Sequence, residues 1–414
     1  MPAFPNVAII GAGPAGCVLA RLLLNASVPV TIFEGEKSLS VRSQGGTLDL
    51  HTQTGQKALR EAGLFEEFLK YARYDGEAMA VIDKHRKAYI KIGGTTGKNS
   101  RGRPEIDRVR LRQILVKSLP EGVIRWGSRL RSVGPDDLSL HFDHGVEQQF
   151  DLIVGADGAW SKVRPVLSSA KPHYVGLGGI DMVIENAEET QPEINEFVNR
   201  GSLFAFSDGK GLTLQQKGDD SLMVYAWSVR DENWITTCGY DPHNPVETKT
   251  ALEKDFADWD PFLIKATQVT NDKEITPRSL YSLPVGHRWE GKSGVTLIGD
   301  AAHLMTPFAG EGVNLAMEDA MKLANAIVED TKVGNTSKTL EECVRSFELE
   351  MFARAAPIAE ISRLNMEDMF FTPGAPKSTI HTWVRRAVIP DGWLLLILVP
   401  LWLVRLLLRL IFWW

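Results

Sequence analysis

The first forty residues of the chain place a glycine-rich turn and a helix between two apolar strands. Residues 7–10 form an uninterrupted apolar run, and the apolar residues of the segment 17–23 recur at helical spacing. The turn between them is Gly11-Ala12-Gly13-Pro14-Ala15-Gly16, and a second apolar run at residues 30–33 ends on Glu34. The pattern predicts a strand, a tight turn, a helix and a second strand that ends on an acid.

The glycines of this turn match the requirements of a dinucleotide-binding unit. Gly11 permits the tight turn, Gly13 lets the backbone approach a pyrophosphate, and Gly16 lets the helix pack close to the strand. Free N–H groups at the helix start can hold the diphosphate, and Glu34 can accept hydrogen bonds from ribose hydroxyls. An ordinary glycine turn leaves Glu34 unexplained, so we expect a bound dinucleotide.

Two later apolar runs each end beside an acid and a glycine. Residues 152–155 lead to Asp157-Gly158, and residues 295–298 lead to Gly299-Asp300. Asp-Gly is also common in ordinary turns, whereas Asp300 follows the carboxyl end of a strand, where ligands of open α/β sheets bind. We expect both motifs to contribute to the ligand site.

A second glycine-lined helix start follows Asp300. Gly310 and Gly312 precede a segment whose apolar residues from Val313 onward recur at helical spacing. Backbone N–H groups at a helix N-terminus favour negative charge in front of them. The chain therefore offers a second anionic docking point, far in sequence from the first.

Between residues 175 and 283 the chain changes to short alternating strands separated by Asp, Gly and Asn turns. A half-buried antiparallel sheet fits this pattern better than βαβ units. We interpret the region as an inserted domain whose sheet forms a wall of a ligand pocket. Candidate lining residues are Phe204, Phe206, Gln215, Tyr225 and Trp227, although most aromatic residues on a sheet belong to the core.

Composition narrows the class of protein. The 414 residues suggest two or three domains of ~150 residues each. A net charge of -6 gives no support for nucleic-acid binding, and three widely spaced cysteines exclude a disulfide scaffold and a cysteine-based metal cluster. Since the first strand begins by Val7, no signal peptide precedes the fold, and we expect a body that faces the cytosol.

The carboxyl-terminal segment is strongly apolar. Residues 393–404 carry no charge, Arg405 and Arg409 follow, and the segment contains four tryptophans. The uncharged run is shorter than the ~20 residues of a transmembrane helix, but the segment reaches that length if the arginines are included. A buried helix, an interfacial segment and a single tail anchor are the alternatives. Tryptophans suit a membrane interface, so we expect residues 391–414 to associate with a membrane.

These motifs together resemble the class A FAD-dependent monooxygenases, the group of para-hydroxybenzoate hydroxylase. Residues 45–50, Gly-Gly-Thr-Leu-Asp-Leu, and the segment 104–112 are most similar to the tetracycline-inactivating flavin monooxygenases. The resemblance extends from residue 5 to about residue 370. The middle sheet departs from the tetracycline-type enzymes, so their substrate is not transferred to this chain.

The resemblance implies an α/β fold with a Rossmann-like, GR2-type FAD-binding domain, an inserted antiparallel-sheet substrate domain and C-terminal helices. Residues 1–174 and 285–335 would form the two parts of the FAD-binding domain, and residues 175–284 the substrate domain. Residues 336–389 would form a C-terminal helical region, and residues 390–414 the membrane-associating tail.

The resemblance also implies FAD as the cofactor and NAD(P)H as a transient co-substrate that docks without a second glycine-rich unit of its own. Asp157-Gly158 is associated in this family with both nucleotides. The residues expected to bind the cofactor are Gly11, Gly13, Gly16, Glu34, Arg42, Gly46, Asp49, Arg112, Asp157, Gly158, Asp300, Gly310, Gly312 and Val313.

By the same resemblance, NAD(P)H reduces the FAD, O2 reacts with the reduced flavin, and a C4a-hydroperoxide transfers one oxygen atom to an electron-rich carbon. The expected substrate is a hydrophobic aromatic, phenolic or enolic metabolite, and secondary metabolism fits the apolar tail. Pro307, through its carbonyl, and Tyr225 are the candidate catalytic residues. His303 is expected to pack structurally.

Two kinds of alternative remain open. The same fold supports epoxidation, Baeyer–Villiger insertion and halogenation, although no Trp-x-Trp-x-Ile-Pro segment of the halogenase type is present. A protein that only binds flavin or another ligand, without catalysis, is the alternative from a different class.

Overall fold

The computed structural model describes residues 4–39, 45–94, 102–332 and 339–388, which divide into two compact units. The first unit contains residues 4–39, 45–72, 102–173, 281–332 and 339–362. The second contains residues 73–94, 174–280 and 363–388. Each unit has its own hydrophobic core.

The strands are numbered in chain order. They are β1 Val7–Ile10, β2 Val30–Glu34, β3 Thr47–Asp49, β4 Met79–Ile82, β5 Ala88–Ile92, β6 Glu105–Asp107, β7 Ile124–Trp126, β8 Leu130–Val133, β9 Leu140–Phe142, β10 Gly145–Glu147, β11 Leu152–Gly155, β12 His173–Ile184, β13 Ser202–Ser207, β14 Lys210–Gln216, β15 Leu222–Val229, β16 Thr276–Ser282 and β17 Val295–Leu297.

The helices are numbered in the same way. They are α1 Pro14–Asn25, α2 Gly55–Glu61, α3 Phe65–Leu69, α4 Arg108–Lys117, α5 Ala187–Thr190, α6 Pro192–Val198, α7 Trp234–Thr237, α8 Pro245–Asp255, α9 Pro261–Gln268, α10 Asp300–His303, α11 Gly312–Lys332, α12 Leu340–Met366 and α13 Ile380–Val388. Short 3-10 turns occur at Asp75–Glu77, Arg164–Val166 and Pro307–Ala309, and a π-helical turn, Glu367–Phe371, follows α12.

A five-stranded parallel sheet forms the centre of the first unit. Its strand order is β17-β11-β1-β2-β7, and Ile10 lies opposite both Gly155 and Phe33. All four residues of β1 and of β11 are buried, which explains their uninterrupted apolar character. Because the strands are parallel, β1, β2, β11 and β17 all end at the same edge of the sheet. The predicted α/β class is confirmed.

The apolar residues Leu59, Leu64, Phe65 and Leu69 predict one helix over the segment 54–71, but the structure divides this segment into two helices. It forms α2 and α3, and Gly63 between them has a φ of +71°. This left-handed conformation is readily accessible to glycine, and it ends α2, whose last residue is Glu61 and whose C-cap is Ala62. Leu59 and Phe68 are both fully buried, so each short helix still contributes to the core.

A seven-stranded sheet forms the second unit, in the order β16-β12-β15-β14-β13-β4-β5. The pairs β12–β15, β15–β14, β14–β13 and β4–β5 are antiparallel, and β13–β4 is parallel. The antiparallel sheet predicted for the middle of the chain is thus present. Residues of α8 and α9, among them Leu252 and Leu263, belong to the core of this unit.

The limits of the two units differ from the predicted domain limits. Residues 1–174 are predicted to belong to the FAD-binding domain, but β4 and β5 extend the sheet of the second unit, because β4 pairs with β13, more than a hundred residues away. The predicted C-terminal helical region is also divided, since residues 339–362 belong to the first unit and residues 363–388 to the second.

Among the described residues, no helix has both the length and the apolar character needed to cross a bilayer. The predicted tail, residues 391–414, lies outside the described residues, and so does the predicted cofactor ligand Arg42.

Candidate functional site

The turn between β1 and α1 has the geometry that its glycines predict. Gly11 has a φ of +108°, and a Cβ atom there would lie 2.4 Å from the carbonyl oxygen of Ala156. A Cβ atom at Gly16 would lie 2.1 Å from the carbonyl oxygen of Gly11. At Gly13, the N-cap of α1, a Cβ atom would meet nothing within 4 Å. Gly11 and Gly16 therefore allow close packing, whereas Gly13 leaves open space in front of the helix.

Glu34 lies at the end of β2, beside this turn. Its Oε2 accepts a hydrogen bond from the Ala12 N–H at 2.7 Å, and its Oε1 accepts one from the Glu36 N–H at 2.9 Å. Each carboxylate oxygen has a second lone pair. The backbone therefore orients Glu34 and leaves it able to accept hydrogen bonds from ribose hydroxyls.

Arg112 extends from α4 and pairs with an acid that the sequence analysis missed. Its Nη2 lies 2.6 Å from Oε2 of Glu36, and the two side chains are only 9% and 10% exposed. Its Nη1 is buried and has no hydrogen-bond partner within the described part of the chain. Burying an unpaired donor is costly, so this nitrogen is suited to a ligand acceptor.

The turn after β11 presents a second buried polar atom. Asp157 Oδ2 accepts a hydrogen bond from the Lys162 N–H at 2.6 Å, while Oδ1 is buried without a hydrogen-bond partner among the residues described. Burial raises the pKa of Asp157, against hydrogen bonds from Ser161 and the backbone that lower it. Gly158 follows with a φ of +74°. Oδ1 of Asp157 can therefore accept a hydrogen bond from a ligand.

Arg164, which follows in the same turn, has a structural role. It donates hydrogen bonds to the carbonyl oxygens of Ala159, at 2.7 Å, and Ala301, at 3.1 Å. It therefore connects the turn after β11 to α10.

Gly299 marks the point at which the two glycine-lined helix starts meet. A Cβ atom at Gly299 would lie 3.1 Å from Cβ of Ala316 on α11 and 3.7 Å from Cβ of Ala15 on α1. The helices α1 and α11 also pack against each other. The structure thus brings together two helix N-termini that are separated by almost three hundred residues in sequence.

Asp300 follows Gly299 at this junction. Solvent reaches its side chain, whereas Ala301, Ala302 and His303 are buried. An accessible acid therefore lies beside both helix starts.

The second helix start is fastened to strand β3. Asn314 is fully buried; its Oδ1 accepts a hydrogen bond from the His51 N–H, and its Nδ2 donates one to the carbonyl oxygen of Asp49, both at 2.9 Å. Gly310 has a φ of +70°, and a Cβ atom at Gly312 would meet nothing within 4 Å. Open space therefore faces this helix start as well.

Two of the other predicted cofactor residues have backbone or packing roles here. Gly46 is buried, and its carbonyl oxygen accepts a hydrogen bond from the Arg108 N–H at 3.2 Å. Val313 is half-buried and packs against the core of the first unit. Contact of either residue with a cofactor stays a prediction.

Asp49, His51 and Glu311 form a row of charged side chains. Nε2 of His51 lies 2.8 Å from Oδ2 of Asp49, and Nδ1 lies 3.2 Å from Oε1 of Glu311. Burial lowers the pKa of His51, but the hydrogen bonds and charges of the two carboxylates outweigh it and raise the pKa to about 9. His51 is therefore positively charged at neutral pH.

The residues present fit FAD. Open space faces the N-termini of α1 and α11, and Arg112 Nη1 and Asp157 Oδ1 are a buried donor and a buried acceptor without partners among the described residues. Glu34 and Asp300 add acids at the ends of two strands of the parallel sheet.

Comparison with known proteins decides the family. A family model described as "FAD binding domain" matches residues 5–342. The chain belongs to this family. It is an FAD-dependent monooxygenase, with NAD(P)H as the co-substrate that is typical of such enzymes.

Relatives support this assignment across most of the chain. The monooxygenase penA from Penicillium thymicola is 32% identical over 415 residues, which cover 87% of this chain and 94% of that protein. A chloroplastic zeaxanthin epoxidase from Oryza sativa subsp. japonica is 29% identical over 386 residues, covering 87% of this chain and 55% of that protein.

Solved structures show the same fold. A salicylate hydroxylase substrate complex has a TM-score of 0.72 at 19% identity and covers 94% of this chain and 95% of that one. The tetracycline destructase Tet(55) has a TM-score of 0.69 at 17% identity, with 95% of this chain and 100% of that one covered. The resemblance to class A flavin monooxygenases is confirmed.

His303 of the monooxygenase has the structural role expected of it. It is buried, and its Nε2 lies 2.6 Å from Oδ2 of Asp319, whose Oδ1 accepts a hydrogen bond from Arg354 at 2.7 Å. Asp319 also accepts the Gly299 N–H at 3.0 Å. Burial lowers the pKa of His303, but the charge and hydrogen bond of Asp319, together with the charge of Asp300, outweigh this effect and raise the pKa. This network supports the turn that presents Asp300.

The two candidate catalytic residues lie in different units. Pro307 is exposed at the start of a 3-10 turn in the first unit, and its carbonyl oxygen accepts a hydrogen bond from the Gly310 N–H at 3.0 Å. Tyr225 is a half-buried residue of β15 in the second unit, opposite Asp181 on β12 and Thr213 on β14. Their catalytic roles stay predictions.

Proposed function

We propose that this monooxygenase hydroxylates an electron-rich carbon of a hydrophobic aromatic, phenolic or enolic metabolite. The observation that carries the proposal is the meeting of two helix N-termini at Gly299. Three acids, Glu34, Asp157 and Asp300, lie at or just after the ends of strands β2, β11 and β17. FAD, when bound, supplies the redox and oxygen-transfer chemistry. The named relatives are a monooxygenase and an epoxidase, which supports oxygen transfer as the reaction class.

Different residues of the chain would bind different parts of FAD. Glu34 and the N-terminus of α1 would hold ribose hydroxyls and the diphosphate, and Arg112 would donate from Nη1. The N-terminus of α11 would stabilise negative charge on the cofactor after reduction.

Turnover under labelled oxygen tests this proposal. Purified enzyme with FAD and NADPH or NADH is incubated with candidate phenols and polyketides under 18O2, and products are analysed by mass spectrometry. We expect a substrate that accelerates NAD(P)H oxidation and acquires a single 18O atom. Flavin binding without accelerated oxidation or labelled product, across a broad substrate set, would favour the non-catalytic alternative.

Epoxidation is the second candidate, and the zeaxanthin epoxidase relative favours it. Both reactions add one oxygen atom, so mass alone does not separate them. NMR of the labelled product does, because hydroxylation leaves the carbon–carbon double bond or aromatic ring in place and epoxidation converts a double bond to a three-membered ring.

We also propose that residues 391–414 attach the enzyme to a membrane, with its body facing the cytosol. The support is the uncharged segment 393–404, the four tryptophans within the tail and the basic residues Arg385 and Arg386 that precede it. Deleting residues 391–414 should move the enzyme from the membrane fraction to the soluble fraction. If the shortened enzyme still sediments with membranes, this segment is not the anchor.

A further inference from the structure

The row formed by Asp49, His51 and Glu311 joins two parts of the first unit that are far apart in sequence. Asp49 ends strand β3, and Glu311 lies between Gly310 and Gly312 at the start of α11. His51 is 9% exposed and contacts one carboxylate with each ring nitrogen. Two carboxylates around one imidazole are suited to its doubly protonated, cationic form, since both nitrogens then donate.

The backbone on both sides of the imidazole is held as well. Asn314 of α11 binds the N–H of His51 and the carbonyl oxygen of Asp49. The carbonyl oxygen of His51 accepts the Gln56 N–H of α2 at 3.0 Å. A Cβ atom at Gly310 would lie 3.8 Å from Oδ1 of Asp49, so strand β3 and the second helix start are direct neighbours.

We propose that His51 is a positioning residue for FAD, whose cationic imidazole holds the Asp49 segment and the Gly310–Gly312 helix start at the separation that the cofactor requires. The proposal depends on FAD binding and is independent of the substrate. Without the imidazole, two carboxylates would face each other across the gap, and their repulsion would separate the two segments.

Titration of His51 gives the row formed by Asp49, His51 and Glu311 a characteristic pH dependence. The charged groups that act on the imidazole are Asp49 on its own segment and Glu311 before α11; the neighbours from α2 and α11, Gln56 and Asn314, are neutral amides. The pKa of His51 rises from 6.5 to about 9. The stabilisation that protonated His51 gives to the contact between the Asp49 segment and the start of α11 is therefore complete below pH 6.5 and is lost as the pH rises through about 9.

FAD affinity of the apoenzyme, measured by flavin fluorescence without substrate, tests the proposal. For the wild type we expect the dissociation constant to rise by up to roughly tenfold between pH 8 and pH 10. The His51→Gln variant should bind FAD more weakly at pH 7.5, and its affinity should lack this pH-dependent step. Wild-type affinity and an unchanged pH profile in His51→Gln would overturn the proposal.

Two further variants separate positioning from general stability. Glu311→Gln removes one of the two charges that raise the pKa of His51, so the midpoint of the step should move to lower pH. This result decides the question even if His51→Gln does not fold, and an unmoved midpoint would contradict the proposal. His141→Gln is the matched control, because His141 lies on β9 and contacts Ser139 at 2.9 Å; it should keep the wild-type profile.

Discussion

At the scale of single residues, the most informative atoms in the site are buried and lack partners. Arg112 Nη1 and Asp157 Oδ1 have no hydrogen-bond partner among the described residues, although each belongs to a residue that is otherwise firmly held. The sequence motifs indicated both residues. They did not indicate Glu36, His51 or Glu311. Glu36 and His51 lie outside the motifs, Glu311 is the unspecified residue between Gly310 and Gly312, and the roles of all three arise from contacts with other segments.

Arg112→Lys tests the unpaired nitrogen. Lysine keeps a positive charge beside Glu36 but cannot reproduce the second guanidinium nitrogen. We expect FAD affinity to fall by about 1.5–3 kcal/mol, roughly ten- to a hundredfold, as measured by titration of the apoenzyme. Arg125→Lys, in an exposed pair with Glu147, is the matched control. Equal affinities of both variants would contradict this role.

At the scale of elements, the β1–α1–β2 unit follows directly from the local pattern, because strand, turn and helix each have a local signal. The pairing of β4 with β13 has no such signal, since it joins strands more than a hundred residues apart. The break between α2 and α3 had a signal in Gly63, but a glycine within an apolar helical pattern does not by itself fix where a helix ends.

The start of α1 provides a matched pair of glycine variants. Gly13→Ala adds a methyl group in open space, so the apoenzyme should keep its stability while FAD affinity falls by roughly tenfold or more, about 1.4 kcal/mol. Gly16→Ala forces a methyl group against the carbonyl oxygen of Gly11 and should destabilise the fold by about 1–3 kcal/mol. Thermal unfolding measures the stability of each variant, and FAD titration measures its affinity. Equal stabilities and equal FAD affinities of the two variants would contradict the separate roles of Gly13 and Gly16.

The turn before α10 depends on the buried carboxylate of Asp319. Asp319→Asn removes the buried counter-charge of His303, whereas Arg354 keeps its ion pairs with Glu318 and Glu350, and we expect a loss of about 3–5 kcal/mol in the free energy of unfolding by denaturant. Burial raises the pKa of Asp319, but the charge and hydrogen bond of His303 and the charge of Arg354 outweigh this effect and lower the pKa. The stabilisation of the fold by this carboxylate is therefore present above the ordinary carboxyl pKa and is lost as the pH falls. Asp143→Asn, at an exposed pair with Arg131, should have little effect.

At the scale of the whole molecule, the motifs were sufficient to predict the fold class, the family and the cofactor. They were not sufficient for the limits of the two units, because segments distant in sequence, residues 73–94 and 363–388, join the second unit. The aromatic residues predicted to line the substrate pocket, such as Tyr225 and Phe204, belong to no motif, so their contact with substrate stays a prediction.

The N-termini of α1 and α11 meet at Gly299, and we expect them to bind one FAD molecule together. The most direct measurement is a titration of the folded apoenzyme with FAD, followed by flavin fluorescence and by the Gly13→Ala comparison. We predict saturation at a single FAD per chain and markedly weaker binding by Gly13→Ala. A folded chain that takes up no FAD, or that binds it equally well with alanine at position 13, would contradict the account.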